Sequence, residues 1–148
     1  MNRDFRDLLA EFNACGVDYL VVGAHALAAH GHVRATKDLD VWVRPEASNA
    51  HRVVQALKQF GTPLLDLTEA DLTKPGTIFQ IGVAPLRIDV ITAIDGVSFE
   101  DAWLDRLRTK LGDVPACVLS REHLIKNKRA SARIQDLADV EWLEGGEG

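Results

Sequence analysis

Cysteine is scarce. Cys15 and Cys117 are the only two in 148 residues, and no metal-type spacing surrounds them, so they read as reduced thiols rather than a disulfide framework. Long apolar runs are missing as well. The longest, Tyr19 to Ala29, is interrupted by His25 and is too short to cross a bilayer. The N-terminus is charged from Arg3 and Asp4 onward and has no signal-peptide core. These absences predict a cytoplasmic protein with no membrane attachment. An excess of positive charge is also lacking. Seventeen Lys and Arg stand against 22 Asp and Glu, a net charge of −5, which argues against nucleic-acid binding by a broadly basic surface but leaves room for a local basic patch. No internal repeat and no low-complexity stretch is found, and Gly145 to Gly148 reads as a frayed end. What is present is a hydrophobic fraction of 47%, ordinary for a globular chain with a core. Length predicts one domain over 1–148, an α/β core to about residue 119 followed by a helical segment over 120–144.

Residues 19–43 organise the rest. Tyr19 to Val22 is an apolar, β-branched run that predicts a buried strand, and Gly23 follows where the backbone must turn tightly or approach a ligand closely. Ala24 to Ala29 favours a short helix, Gly31 stops it, and Asp38 to Val43 forms a second strand. On that strand Asp38 and Asp40 point to one face while Leu39 and Val41 point to the other. Paired carboxylates repel, each raising the other's pKa, and a cation between them relieves this. An all-oxygen ligand set favours Mg²⁺, then Mn²⁺. The plainer alternative is a solvated strand end, with Arg34 and Lys37 neutralising the pair without metal.

A third acidic residue, Asp89, sits in the apolar strand Leu86 to Thr92, preceded by a strand from Thr77 to Val83 and a turn around Gly82 to Pro85. If that strand lies beside the Asp38 strand, three carboxylates converge, which suits ions that clamp a triphosphate. Arg87 shares a face with Asp89 and either pairs with it or steers phosphate. His25, His30 and His32 read as packing or surface residues, with His30 the one most inclined to face the cleft.

The remaining chain reads mostly as scaffold. Phe5, Leu8, Leu9 and Phe12 recur at helical spacing, as do Val53, Val54, Leu57 and Phe60 in a helix opening near Pro45 and closing at Gly61. A helix begins at Ser98, and two short strands flank Gly112-Asp113. Ser120 opens the next helix, and residues 121–133 hold Arg121, Lys126, Lys128, Arg129 and Arg133 against a single acid, Glu122. This run is either a solvated face or a set of cations for phosphate or an RNA backbone. A last helix, Arg133 to Glu144, packs through Ile134, Leu137, Val140 and Leu143, with Asp136 placed to hold Lys128 or Arg133.

Gly23-Ala24, thirteen intervening residues, Asp38-Leu39-Asp40 and the distant Asp89 together resemble the polymerase-beta-like nucleotidyltransferase superfamily. The form with Arg34-Ala35-Thr36 before Asp38, Phe79-Gln80-Ile81-Gly82, and Glu122-His-Leu-Ile-Lys-Asn-Lys128 followed by Arg133-Ile-Gln-Asp136-Leu-Ala-Asp139 is most similar to small bacterial AbiEii-like toxin nucleotidyltransferases. The resemblance implies an α/β nucleotidyltransferase fold, a small mixed β-sheet flanked by helices with a short helical C-terminal segment. It implies a metal-dependent enzyme that moves an NMP from an NTP, ATP among them, to an acceptor hydroxyl. Asp38, Asp40 and Asp89 would be the catalytic and metal-binding residues; Gly23, Ala24, Arg34, Thr36, Lys37 and Lys128 would bind the nucleotide. The toxin relatives imply a tRNA or protein acceptor and an antitoxin protein as partner. The small size implies a homodimer or second chain to complete the site. Nucleotidylation of a small-molecule antibiotic, or nucleotide binding without turnover, are the alternatives. The family's second loop position is usually Gly or Ser; Ala24 departs from it and puts activity or nucleotide affinity in question.

Overall fold

The computed structural model describes residues 1–33, 38–82 and 86–145. Helix α1 (Arg3–Ala14) is capped by Asn2, whose side-chain oxygen accepts from the backbone N–H groups of Asp4 and Phe5. It leads to β1 (Tyr19–Val22), α2 (Gly23–Ala29) and β2 (Asp38–Val43). Helix α3 (Ala47–Phe60) begins two residues later than Pro45 suggests, with Glu46 as its extended N-cap, and ends at left-handed Gly61. A 3₁₀ turn at Asp71–Thr73 precedes β3 (Ile78–Ile81) and β4 (Arg87–Ile91). Then follow α4 (Phe99–Leu104), β5 (Leu107–Leu111), β6 (Val114–Val118), α5 (Arg121–Ser131) and α6 (Ile134–Gly145). Ser98 and Ser120 cap α4 and α5 by accepting from Asp101 and His123 N–H. The turn between β3 and β4 at residues 83–85 lies outside the described residues, as do residues 146–148.

The six strands form one mixed sheet in the order β3-β4-β2-β1-β6-β5. β2 pairs with β4 and β1 with β6 in parallel; the other neighbours are antiparallel. Tyr19 and Val21 are cross-strand partners of Val43 and Val41, so these four share a face with Leu39. Phe12 of α1 packs on Tyr19 there, their rings 5.7 Å apart. Trp42 looks out of the opposite face and is covered by Phe99 of α4, edge to face at 5.0 Å. Helices thus flank both faces. Leu8, Leu9, Phe12, Val53 and Leu57 have no accessible surface, each contributing about 1.5–3 kcal/mol of apolar transfer. Leu124 and Ile125 of α5 and Val140 and Leu143 of α6 join the same buried cluster. Buried Arg44, at the end of β2, ties α4 to the sheet by pairing with Asp18 at 2.8 Å and with Glu100, its guanidinium lying over the Phe99 ring. Among the described residues, no helix is long and apolar enough to cross a membrane.

Candidate active site

The parallel register of β2 and β4 sets Asp38 opposite Arg87 and Asp40 opposite Asp89. Partners in a ladder project to the same side, as do alternate residues of one strand. Asp38, Asp40, Arg87 and Asp89 therefore share one face. The Arg87 guanidinium lies between two of the carboxylates, 3.3 Å from Asp38 Oδ2 and 3.2 Å from Asp89 Oδ1. Asp40 lies deeper. Burial, then the charges of Asp89 and Asp38, push its carboxyl up to about 6, against the opposing pull of Arg87 and Lys128. Burial also raises Asp89, opposed chiefly by Arg87.

Gly23 owes its identity to Asp40. Its φ is +69°, a left-handed conformation open to glycine, and a Cβ on it would fall 2.4 Å from Asp40 Oδ2. The turn is tight because a carboxylate rests on it, a packing requirement that the sequence pattern does not express. Ala24 follows, half-buried in the first turn of α2. Arg34, Thr36 and Lys37 lie outside the described residues.

A cleft of about 530 Å³ opens beside Asp40 and Gly23. Ile78 and Ile91 form an apolar wall, and Asn127 and Lys128 of α5 close the other side. Lys128 is buried. Its Nζ lies 2.9 Å from Asp139 Oδ2 and 3.5 Å from Asp136 Oδ1, so α6 holds it at the edge of the cleft. Asp136 also accepts from Arg133 Nε at 2.7 Å. Burial raises the Asp136 carboxyl, but the hydrogen bonds from Arg133 and Ser131 outweigh it and hold the group below its usual range. Asp139, three residues after Asp136 and on the same helical face, is a second partner for Lys128 beyond the Asp136 that the sequence offers.

The basic segment is largely spent on this hairpin. Arg121 donates to the Leu143 carbonyl, Arg129 pairs with Glu144, and Lys128 and Arg133 pair as above. His30, the histidine expected toward the cleft, instead makes a 2.8 Å hydrogen bond with the Leu119 carbonyl and fastens α2 to the end of β6. His25 stands edge-on to Phe5, with burial lowering its pKa. His32 stacks on Trp142 of α6 at 4.3 Å.

The donor chemistry suits a hard divalent ion: three carboxylates on one face, one of them half-buried and resisting ionisation. As they stand, no group of three or more His, Cys, Asp or Glu among the described residues is gathered closely enough to hold an ion. Arg87 supplies positive charge between Asp38 and Asp89 instead.

A mixed sheet carrying an acidic trio across the adjacent parallel strands β2 and β4, closed by a C-terminal helical hairpin, is the nucleotidyltransferase fold. A proposed nucleotidyltransferase from Thermotoga maritima superposes with a TM-score of 0.60 at 12% identity, over 98% of this chain and 91% of that one. The lincosamide antibiotic adenylyltransferase LnuA, solved with lincomycin bound, superposes with a TM-score of 0.56 at 15% identity, over 98% of this chain and 97% of its own. No protein-family model and no curated protein matches the chain.

Proposed function

We propose that the protein is a metal-dependent nucleotidyltransferase that moves an NMP from an NTP to an acceptor hydroxyl. The observation that carries this reading is the Asp40–Asp89 register of β2 and β4, which sets three oxygen-donor side chains on one face of the sheet, with Asp40 lining the cleft. Asp38, Asp40 and Asp89 would hold the divalent ion, Mg²⁺ or Mn²⁺. When bound, such an ion neutralises phosphate charge and aligns the attacking and departing oxygens. Asp89 accepts the proton of the incoming hydroxyl as it attacks the α-phosphorus, and pyrophosphate departs. Gly23 keeps Asp40 pressed into its place. Ile78 and Ile91 offer an apolar surface to the nucleoside, and Lys128 adds positive charge near the phosphates while α6 restrains it.

One observation bears on the acceptor. Arg121, Lys128, Arg129 and Arg133 already have partners within the C-terminal hairpin, while Lys126 is exposed, so the basic segment has less charge to offer a tRNA backbone than its composition suggests. A small hydroxyl compound therefore fits better than a polynucleotide, and the antibiotic adenylyltransferase LnuA offers a chemical precedent. The toxin reading, with a tRNA or protein acceptor and an antitoxin partner, is the second reading and rests on the sequence resemblance.

The test is transfer of label from each α-labelled NTP, with Mg²⁺ or Mn²⁺, in parallel reactions holding total bacterial RNA, a panel of aminoglycosides and lincosamides, or protein alone. Label on a small molecule supports the first reading. Label on RNA or protein supports the toxin reading. Absence of transfer in every reaction contradicts nucleotidyl transfer to these acceptors.

A further inference from the structure

Resting on that reading, we propose that Arg87 keeps the place of the divalent ion: its guanidinium bridges Asp38 and Asp89 until metal enters, and metal enters only as Arg87 withdraws. The two contacts, at 3.3 and 3.2 Å, put the positive charge between carboxylates from neighbouring strands. A dication held by the same oxygens would lie within a few ångströms of the guanidinium, where like charges repel strongly. The two occupants therefore exclude each other.

The bridge is built to be given up. Arg87 Nε and Asp89 Oδ1 are buried and, despite their 3.2 Å separation, lack the alignment of a hydrogen bond. On the Asp38 side a single guanidinium N–H donates at 3.3 Å, so neither arm is the two-bond fork that holds an arginine most firmly on a carboxylate. The Arg87 side chain is 36% exposed, so it has an open way toward solvent. A triphosphate offers the displaced guanidinium new oxygen partners, which couples metal entry to nucleotide entry. Arg87 is thereby a positioning residue that holds the acidic trio together before substrate arrives and suppresses idle metal binding.

The experiment is calorimetric titration of the whole chain with Mn²⁺ alone, without nucleotide, for wild type, Arg87→Gln and Arg87→Met. Circular dichroism melts select folded variants, and Arg87→Lys serves as the charge-retaining comparison. The neutral variants should bind Mn²⁺ at least about tenfold more tightly than wild type, with Arg87→Lys close to wild type. A non-hydrolysable NTP analogue should then tighten Mn²⁺ binding more in wild type than in Arg87→Gln. Equal or weaker Mn²⁺ affinity in both neutral, folded variants overturns the exchange while leaving metal-dependent transfer standing. Absence of Mn²⁺ binding in every protein overturns both.

Discussion

Asp40 bears the cost of the site. Its carboxyl ionises near pH 4 in the unfolded chain and only at about 6 in the folded one, because burial and two acidic neighbours oppose the charge. Between those values the folded state holds the extra proton. Stability is therefore full below the unfolded pKa, declines as pH rises through about 6, and stays lower above it. Asp40→Asn removes that cost. In urea melts without divalent ions the variant should gain about 1–3 kcal/mol at pH 8 and almost nothing at pH 4. An equal gain at both values would show that charge is not the cause. At Gly23, a methyl group must meet the Asp40 carboxylate and sit in a left-handed backbone. Gly23→Ala is expected to reduce kcat at least about tenfold by displacing Asp40, with a stability loss of about 1–3 kcal/mol. Unchanged turnover in that variant would separate the glycine from the chemistry.

The α5–α6 hairpin shows at the scale of elements what local reading loses. Arg121, Lys128 and Arg129 look like a basic face because their partners lie on the next helix. A corner at Ala132, a non-glycine residue with φ +56°, folds α6 back and delivers Asp136, Asp139 and Glu144 to them. Nothing in the residue type announces that left-handed turn. The same corner carries a backbone cost, so Ala132→Gly should stabilise the protein by about 0.5–1 kcal/mol in chemical denaturation. A loss of stability would mean that the corner is not strained. Asp139→Asn keeps the shape but weakens the hold on buried Lys128. It should cost about 1–3 kcal/mol and lower kcat through a looser cleft wall, measured by denaturation and steady-state kinetics together.

Across the whole molecule, locally patterned features were legible in the sequence. The strand–turn–helix–strand unit, the amphipathic α1 and α3, and the β5–β6 hairpin follow from apolar spacing and glycine positions. Asp38 and Asp40 stood out because strand alternation puts them on one face. The sheet order was not legible, because the parallel β2–β4 and β1–β6 pairings join residues far apart in the chain. Their registers set Asp89 beside Asp40 and bring Leu119, just beyond β6, within reach of His30. Nor did the pattern reveal that Gly23 rests on Asp40, since that contact exists only once β1 and β2 are paired.

The central claim is that the Asp40–Asp89 cluster performs metal-dependent nucleotidyl transfer. Pyrophosphate release from the four NTPs tests it most directly, measured with the acceptor that accepts label, with Mg²⁺ or Mn²⁺ and with chelator, for wild type, Asp40→Ala and Asp89→Ala. Metal-dependent release by wild type, reduced at least about a thousandfold in both folded variants, is the predicted result. Release that persists in either variant, or that proceeds equally in chelator, would contradict it.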